Sequence, residues 1–190
     1  MPDAPYSLLA QLESVKDIAR PPIHLWNPEN VKDIDMQIRR DGSWYYMGTP
    51  IERQRLVRLF STVLRREDDG EYYLVTPVEK CRITVEDAPF VAVLMEVEGK
   101  GKNQQLTFTT NVADEVMASD KHPLRVASDP NNSETVPYVH VRDDLEALVS
   151  RPVYYQLTEL LEANEIDGRS WHGVWSGGVF FPFIESDRLS

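Results

Sequence analysis

The chain repeats one pattern of residues after an interval of 98 positions. Each copy has an apolar residue two positions before an Arg, then apolar residues at helical spacing, a Gly turn and an aromatic residue. The matching pairs are Ile51 and Val149, Arg53 and Arg151, Leu59 and Leu157, Val63 and Leu161, Gly70 and Gly168, and Tyr73 and Trp171. Self-similarity at a fixed interval is typical of a duplicated structure. The sequence therefore predicts two related halves, each with one main helix, and predicts that these helices occupy equivalent places.

The spacing of apolar residues predicts a mixture of helices and strands. Apolar residues three and four positions apart predict helices over residues 7–18, 52–66 and 152–164, with Ser7 as a candidate N-cap. Alternating or continuous apolar runs predict many short strands. These are residues 36–38, 44–47, 71–76, 81–85, 90–97, 106–110, 115–118, 124–127, 136–141, 170–175 and 179–183. The mixture predicts an α+β fold with a duplicated, β-rich core.

Turn-forming residues divide the chain into parts. The loop Gly99-Lys100-Gly101 is the natural boundary between the halves. We expect an N-terminal helix and arm over residues 1–35, a first α+β half over residues 36–98 and a second half over residues 99–190. A polar segment at residues 129–133 predicts a further loop within the second half.

The charge balance restricts the partners. The chain has 31 Asp and Glu against 20 Lys and Arg, which gives a formal net charge of −11. Such a chain is poorly suited to sequence-independent binding of nucleic acid, and it is also poorly suited to docking on anionic lipid. Seven arginines nevertheless lie between positions 39 and 66. A local basic face can therefore exist on this acidic protein, and an anion is a possible ligand.

The cysteine count and the N-terminal residues predict the compartment. Cys81 is the single cysteine, so the chain cannot form an intramolecular disulfide, which suits a reducing compartment. The first residues lack the basic start and apolar run of a secretory signal. The longest apolar stretch, residues 89–95, is far shorter than the roughly 20 residues of a membrane-spanning helix. We expect a cytoplasmic protein.

No strong catalytic motif occurs in the sequence. It lacks a phosphate-binding Gly-Lys-Ser/Thr loop, a Gly-x-Ser-x-Gly elbow, a His-Glu-x-x-His pair and a Cys-x-x-Cys pair. Cys81 lies in an alternating strand and is predicted to be a small buried hydrophobe rather than a nucleophile. His140 with Asp143 or Asp144 could serve hydrolysis or hold a metal, but carboxylates after a strand more often cap a turn. We therefore expect no metal and no cofactor, and the sequence does not indicate an enzyme.

The arginines are the stronger functional signal. Arg53, Arg55 and Arg151 lie in or near the predicted first turns of helices. A cation there meets the positive end of the helix dipole and loses about 0.3–1 kcal/mol. An Arg at this place can assemble an anion site together with free backbone N–H groups. The alternative is that Glu52 and nearby acids neutralise these arginines across a surface.

Four segments carry a resemblance to a known family. They are Gly48-Thr49-Pro50-Ile51, residues 72–80 (YYLVTPVEK), residues 85–90 (VEDAPF) and Trp175-Ser176-Gly177-Gly178. With them the chain resembles a proteobacterial family classed as domain of unknown function 1285. The resemblance implies a duplicated core whose C-terminal half is similar to pleckstrin-homology-like folds. It also implies a ligand site between the halves and a role in signalling, but it implies no reaction and no catalytic residues.

The sequence and the resemblance together favour a non-catalytic binding module. We expect an anionic small molecule or an acidic peptide in a cleft between the halves. The candidate ligand-binding residues are Arg53, Lys80, Arg82, His140, Arg142 and Arg151. The arginines would form bidentate hydrogen bonds with carboxylate or phosphate groups, and Lys80 would add a point charge. Two alternatives stay open: a hydrolase that uses His140 with Asp143 or Asp144, and a protein-interaction domain that docks a partner through a sheet edge or groove.

Overall fold

The computed structural model of the chain describes residues 3–128 and 134–188, with side chains from residue 7 onward. The predicted loop at residues 129–133 lies outside the described residues. The chain divides into two compact units, Met1–Asp87 and Ala88–Ser190. This division precedes the predicted boundary between residues 98 and 99, because the strand Phe90–Glu98 pairs with strands of the second unit on both sides.

The first unit is built on one six-stranded sheet. Its strands are β1 (Val31–Ile38), β2 (Trp44–Tyr46), β3 (Thr49–Pro50), β4 (Leu64–Arg66), β5 (Tyr72–Val75) and β6 (Lys80–Val85). Their order in the sheet is β3-β2-β1-β6-β5-β4. The central pair β1 and β6 is parallel, and all the other pairs are antiparallel. Two antiparallel meanders therefore meet at a parallel seam.

The second unit begins with a sheet of the same design. Its strands are β7 (Phe90–Glu98), β8 (Gln105–Thr110), β9 (Glu115–Met117), β10 (Leu124–Ser128), β11 (Thr135–Arg142) and β12 (Leu145–Val149). They are ordered β10-β11-β12-β7-β8-β9, with the parallel pair β7 and β12 at the centre. A helix and a three-stranded antiparallel sheet follow: α3 (Arg151–Glu159), β13 (Glu162–Ile166), β14 (Arg169–Ser176) and β15 (Val179–Glu185).

The α+β class and the duplicated β-rich core are confirmed. The two main helices, however, do not occupy equivalent positions in the order of elements. Read from one edge to the other, both six-stranded sheets have the order third-second-first-sixth-fifth-fourth. The helix α2 (Gln54–Thr62) connects the third and fourth strands of its sheet, whereas α3 follows the sixth. The interval of 98 residues therefore matches a local motif, a helix followed by antiparallel strands. That motif completes the main sheet in the first unit and forms a separate sheet in the second.

The helices are shorter than their apolar stripes predict. The N-terminal helix α1 (Asp3–Leu12) starts before Ser7, so Ser7 is not its N-cap, but Leu8 and Leu12 are buried as the stripe predicts. In α2 the helical hydrogen bonds end at Val63, and the next three residues form β4 against β5. In α3 they end at Leu160, just before β13 pairs with β14. Strand pairing thus overrides helical spacing at both C-terminal ends.

Each unit has an apolar core of its own. In the first unit Trp44 packs on Phe60 of α2, with ring centroids 6.1 Å apart, and the strands add Ile38 and Leu74. In the second unit the fully buried side chains include Phe90, Phe108 and Leu145. No described helix is both long and apolar enough to span a bilayer.

Candidate functional site

One face of the first sheet carries a row of polar side chains. The register places Asp33, Arg82, Tyr73 and Arg65 beside one another on β1, β6, β5 and β4. Neighbours in register point to the same face of a sheet, so these four residues form a continuous polar row. At one end of the row, Arg82 Nε lies 2.7 Å from Asp33 Oδ1. Both of these side chains are exposed.

At the other end, Glu67 connects two cations. It accepts a hydrogen bond from Arg65 and one from Lys80 Nζ at 2.6 Å. The three side chains retain only 16–20% of their exposure. Arg65 also donates to the carbonyls of Ile23 and Trp26, each at 2.8 Å. This network therefore fastens the segment before β1 to the sheet.

The protonation states of this network are fixed by its hydrogen bonds. Burial opposes ionisation of Glu67, but Lys80 and Arg65 outweigh it and lower the pKa of Glu67. Hydrogen bonds from the Glu71 N–H and the Tyr73 hydroxyl lower the pKa of Asp69. The bond to Asp69, together with burial, raises the pKa of Tyr73. Both carboxylates thus stay ionised at neutral pH, as suits ion pairing rather than general acid catalysis.

Another carboxylate of the first unit, that of Glu79, is almost wholly buried. Glu79 is 3% exposed; it accepts a hydrogen bond from Gln11 Nε2 at 2.9 Å and pairs with Lys32. Cys81, which lies on β6 two residues after Glu79, is buried, as predicted. Burial, reinforced by the charge of Glu79, raises the pKa of the Cys81 thiol to about 11. A neutral, enclosed thiol is a poor nucleophile.

The start of α2 presents three arginines to solvent. Arg53 is the extended residue before the helix, and Arg55 and Arg58 lie within it. Val57 and Phe60 are buried on the opposite side, so Arg55 and Arg58 point outward. Among the side chains that the structure describes, no ion pair involves any of the three arginines. We call Arg53, Arg55 and Arg58 the α2 arginine face.

In the second unit two histidines meet. His122 precedes β10, His140 lies on β11, and their ring centroids are 5.5 Å apart. The Nε2 atom of His140 is 2.5 Å from the main-chain oxygen of Asp143, so its hydrogen bond goes to the backbone rather than to a carboxylate. Within residues 3–128 and 134–188, no three His, Cys, Asp or Glu side chains form a group that could hold a metal ion.

The remaining candidate cations of the second unit already have acidic neighbours. Arg142 Nε lies 3.4 Å from Asp114 Oδ2, and its guanidinium stands over the ring of Phe90. Arg151 lies 3.5 Å from Glu134, and both of those side chains are largely exposed. An exposed pair of this kind contributes about 0–1 kcal/mol.

Comparison with protein families identifies the chain. A model described as the N-terminal domain of DUF1285, a domain of unknown function, matches residues 21–88. A model described as the C-terminal domain of the same family, a protein of unknown function, matches residues 89–183. The chain belongs to the DUF1285 family. The two DUF1285 models meet at the place where the two compact units divide.

Solved structures of two DUF1285 family proteins are similar to this chain, and the first of them agrees with its fold. A DUF1285 family protein from Silicibacter pomeroyi DSS-3 is 52% identical, with a TM-score of 0.87 over 96% of this chain and 97% of that one. A DUF1285 family protein from Shewanella baltica OS155 is 26% identical, with a TM-score of 0.49 over 67% of this chain and 92% of that one. None of the curated proteins matches the chain.

The six predicted ligand-binding residues divide evenly between the two units of this DUF1285 chain. Arg53, Lys80 and Arg82 lie in the first unit, and His140, Arg142 and Arg151 lie in the second. Lys80 and Arg82 share one face of β6, but each is bound to a carboxylate of its own unit. The convergence of Arg53 and Arg151 on one anion stays a prediction, as does the pleckstrin-like character of the second half.

Two features of this DUF1285 chain were not predicted from its sequence. Arg58 was not singled out among the seven arginines between positions 39 and 66, although it stands beside Arg55 one turn away. His122, between Lys121 and Pro123, was not among the predicted site residues. The helical spacing of 55 and 58 was a readable signal, whereas the approach of His122 to His140 depends on strand pairing across 18 residues.

Proposed function

We propose that this protein is a non-catalytic binding module that captures an acidic peptide segment of a partner protein on the α2 arginine face. The observation that carries the proposal is the set of three exposed arginines with no ion pair among the described side chains, on a chain of net charge −11. In such a chain, carboxylates are plentiful, so arginines left without them are free to bind an external acid.

The contrast with other cations supports the proposal. Lys80 binds Glu67, Arg82 binds Asp33, and Arg142 lies beside Asp114. Their charges are therefore already balanced within the fold. An incoming anion would have to displace a carboxylate at each of these places, but not at the α2 arginine face.

The arrangement of the arginines also opposes helix stability. Arg55 stands in the first turn, where a cation loses about 0.3–1 kcal/mol against the helix dipole. Like charges one turn apart, such as Arg55 and Arg58, lose roughly 0.2–0.5 kcal/mol more. The burial of Val57 and Phe60 holds the helix in place despite these losses. Residues that weaken their own helix while meeting solvent are good candidates for binding.

An extended acidic peptide fits this face better than a small ion. All three guanidinium groups are exposed, so water screens each single contact. A peptide with several carboxylates can meet several arginines at once, and each bidentate Arg–carboxylate contact adds directional hydrogen bonds.

We propose that the protein acts in signalling in the cytoplasm. The buried, free Cys81 supports a reducing compartment. The family resemblance supports signalling, and a module that reads acidic segments suits that role.

The test is fluorescence anisotropy with a labelled ten-residue peptide of alternating Glu and Asp. We expect the variant Arg55→Ala/Arg58→Ala to bind about ten-fold more weakly than wild type. The matched control Arg82→Ala/Arg169→Ala makes the same change in net charge at two exposed, paired arginines, and we expect it to bind within about two-fold of wild type. Equal losses in both double variants would show a general charge effect and would refute the proposal.

A further inference from the structure

His122 and His140 are held on neighbouring backbone segments. The His140 N–H donates to the carbonyl of Pro123 at 3.0 Å, which extends the β10–β11 pairing to the residue after His122. On the other side, the Ser119 N–H donates to the carbonyl of His122 at 3.0 Å. Main-chain hydrogen bonds therefore fix both residues, and the two imidazoles are brought together before any ligand arrives.

The hydrogen bonds determine which ring nitrogen of each histidine carries a proton. A carbonyl oxygen can only accept, so Nε2 of His140 must donate to Asp143, and Nδ1 of neutral His140 keeps its lone pair. Nδ1 of His122 faces that lone pair at 3.4 Å and the main-chain oxygen of His140 at 3.2 Å. When His122 carries a proton on Nδ1, that proton therefore faces two atoms that can only accept a hydrogen bond, Nδ1 and the main-chain oxygen of His140.

These distances match a metal site. Two ligand atoms bound at about 2.0–2.1 Å to a tetrahedral Zn²⁺ lie about 3.3–3.4 Å apart. We propose that Nδ1 of His122, Nδ1 of His140 and the main-chain oxygen of His140 bind one divalent transition-metal ion such as Zn²⁺. On binding, the ion replaces the proton on His122 Nδ1, and that neutral ring takes its proton on Nε2 instead.

The surroundings of His140 have the form of a metal-ligand shell. Metal-binding histidines commonly donate their second ring N–H to a carbonyl or carboxylate, which fixes the ring and the tautomer. The Asp143 carbonyl has this role, and Asp143 itself adopts a left-handed conformation with φ of 47°. Both histidines are half-buried rather than enclosed, so solvent reaches them.

The donor atoms select the class of metal. Imidazole nitrogens prefer Zn²⁺, Ni²⁺ and Cu²⁺, whereas Mg²⁺ and Ca²⁺ prefer sets of oxygens. The site went unseen in the sequence because a pair of histidines 18 residues apart lacks the short spacing of known metal motifs.

The test is isothermal titration calorimetry of the 190-residue chain with ZnCl₂, with MgCl₂ as the control. We expect one Zn²⁺ per chain with a dissociation constant in the micromolar range and no heat from Mg²⁺. His122→Ala and His140→Ala should each weaken Zn²⁺ binding at least ten-fold. The double variant His24→Ala/His172→Ala, which removes two histidines elsewhere, should bind as wild type does.

Two results would overturn the site. One is wild type that shows no stoichiometric Zn²⁺ binding up to millimolar metal, and the other is histidine variants that bind as tightly as wild type. If either variant fails to fold, imidazole ¹⁵N NMR of wild type replaces it. Zinc should then shift the His122 and His140 ring resonances first, and first shifts at His24 or His172 would refute the proposal.

Discussion

Glu67 is the residue on which most of the charged network of the first sheet depends. Its carboxylate accepts hydrogen bonds from Arg65 and Lys80, and Arg65 continues to the carbonyls of Ile23 and Trp26. Loss of this one negative charge would leave two partly buried cations facing each other. Removing one partner of such a group costs more than the group contributes as a whole, because the remaining charges stay desolvated.

We expect Glu67→Gln to lower the free energy of unfolding at pH 7 by on the order of 2 kcal/mol. The pKa of Glu67 is lowered by folding, so the ionised group stabilises the fold above the unfolded value of about 4.3. That contribution disappears as the pH falls through the lower folded pKa. Urea unfolding at pH 7 and at pH 3 checks this: the difference between wild type and variant should shrink in acid.

The control for this experiment is Glu13→Gln, which removes an exposed ion pair with Lys16. We expect it to change stability by less than about 0.5 kcal/mol at either pH. If the effect of Glu67→Gln were as large at pH 3 as at pH 7, the carboxylate charge would not be the cause.

For single residues, the sequence predicted which side chains are buried better than it predicted which groups they contact. Cys81 was expected inside because it alternates with exposed residues along β6, and that pattern is local. The contact of Arg65 with Ile23 joins positions 42 residues apart, and the approach of His122 to His140 joins positions 18 apart. No local pattern encodes contacts between residues so far apart in the sequence, so these contacts could not be predicted from it.

In helix α2 the proposed binding role opposes the stability of the helix itself. Its apolar side packs Val57 and Phe60, while its N-terminal turn carries cations that the helix dipole disfavours. Helix stability and the proposed binding role therefore favour different residues at position 55, and a substitution of Arg55 should separate the two effects.

We expect Arg55→Glu to stabilise the protein by about 0.5–1 kcal/mol, because an acid in the first turn suits the dipole and faces Arg58 one turn away. The same variant should lose affinity for the acidic peptide. Arg55→Lys, which keeps the charge, is the matched control and should leave stability within about 0.3 kcal/mol. Guanidinium unfolding curves measure the effect, and a less stable Arg55→Glu would contradict this account of α2.

The elements themselves were largely predictable, but their ends were not. The strands on either side of Gly42 were predicted from the spacing of apolar residues, and they pair as the β1–β2 hairpin. Residues 64–66 were expected to extend a helix, yet they form β4, because pairing with β5 is available only in the folded sheet. The strand Leu145–Val149 was missed because it is short and follows the acidic turn at Asp143 and Asp144.

On the scale of the whole molecule, each unit is organised around a parallel seam. The pairs β1–β6 and β7–β12 join the first and last strands of their sheets. The central strand β7 therefore matters more to the second unit than its position at the start of that unit suggests. A cut at the boundary predicted from sequence, before residue 99, would remove β7 altogether.

We expect a fragment of residues 88–190 to fold by itself, because it keeps both sheets and the core of the second unit. A fragment of residues 99–190 should not fold, since β8 and β12 lose their common neighbour. The measurement is the dispersion of amide signals in ¹H–¹⁵N NMR spectra. Equal dispersion for the two fragments would show that β7 is not essential to the sheet.

The parallel seam also has a consequence for synthesis on the ribosome. A strand at the centre of a sheet needs partners on both sides, and β1 obtains β2 almost at once but β6 only after residue 80 has been made. At translation rates of about 5–20 residues per second, the second edge of β1 stays unpaired for several seconds. An unpaired edge is a template for wrong pairing, so the nascent chain is open to mispairing of β1 during this interval.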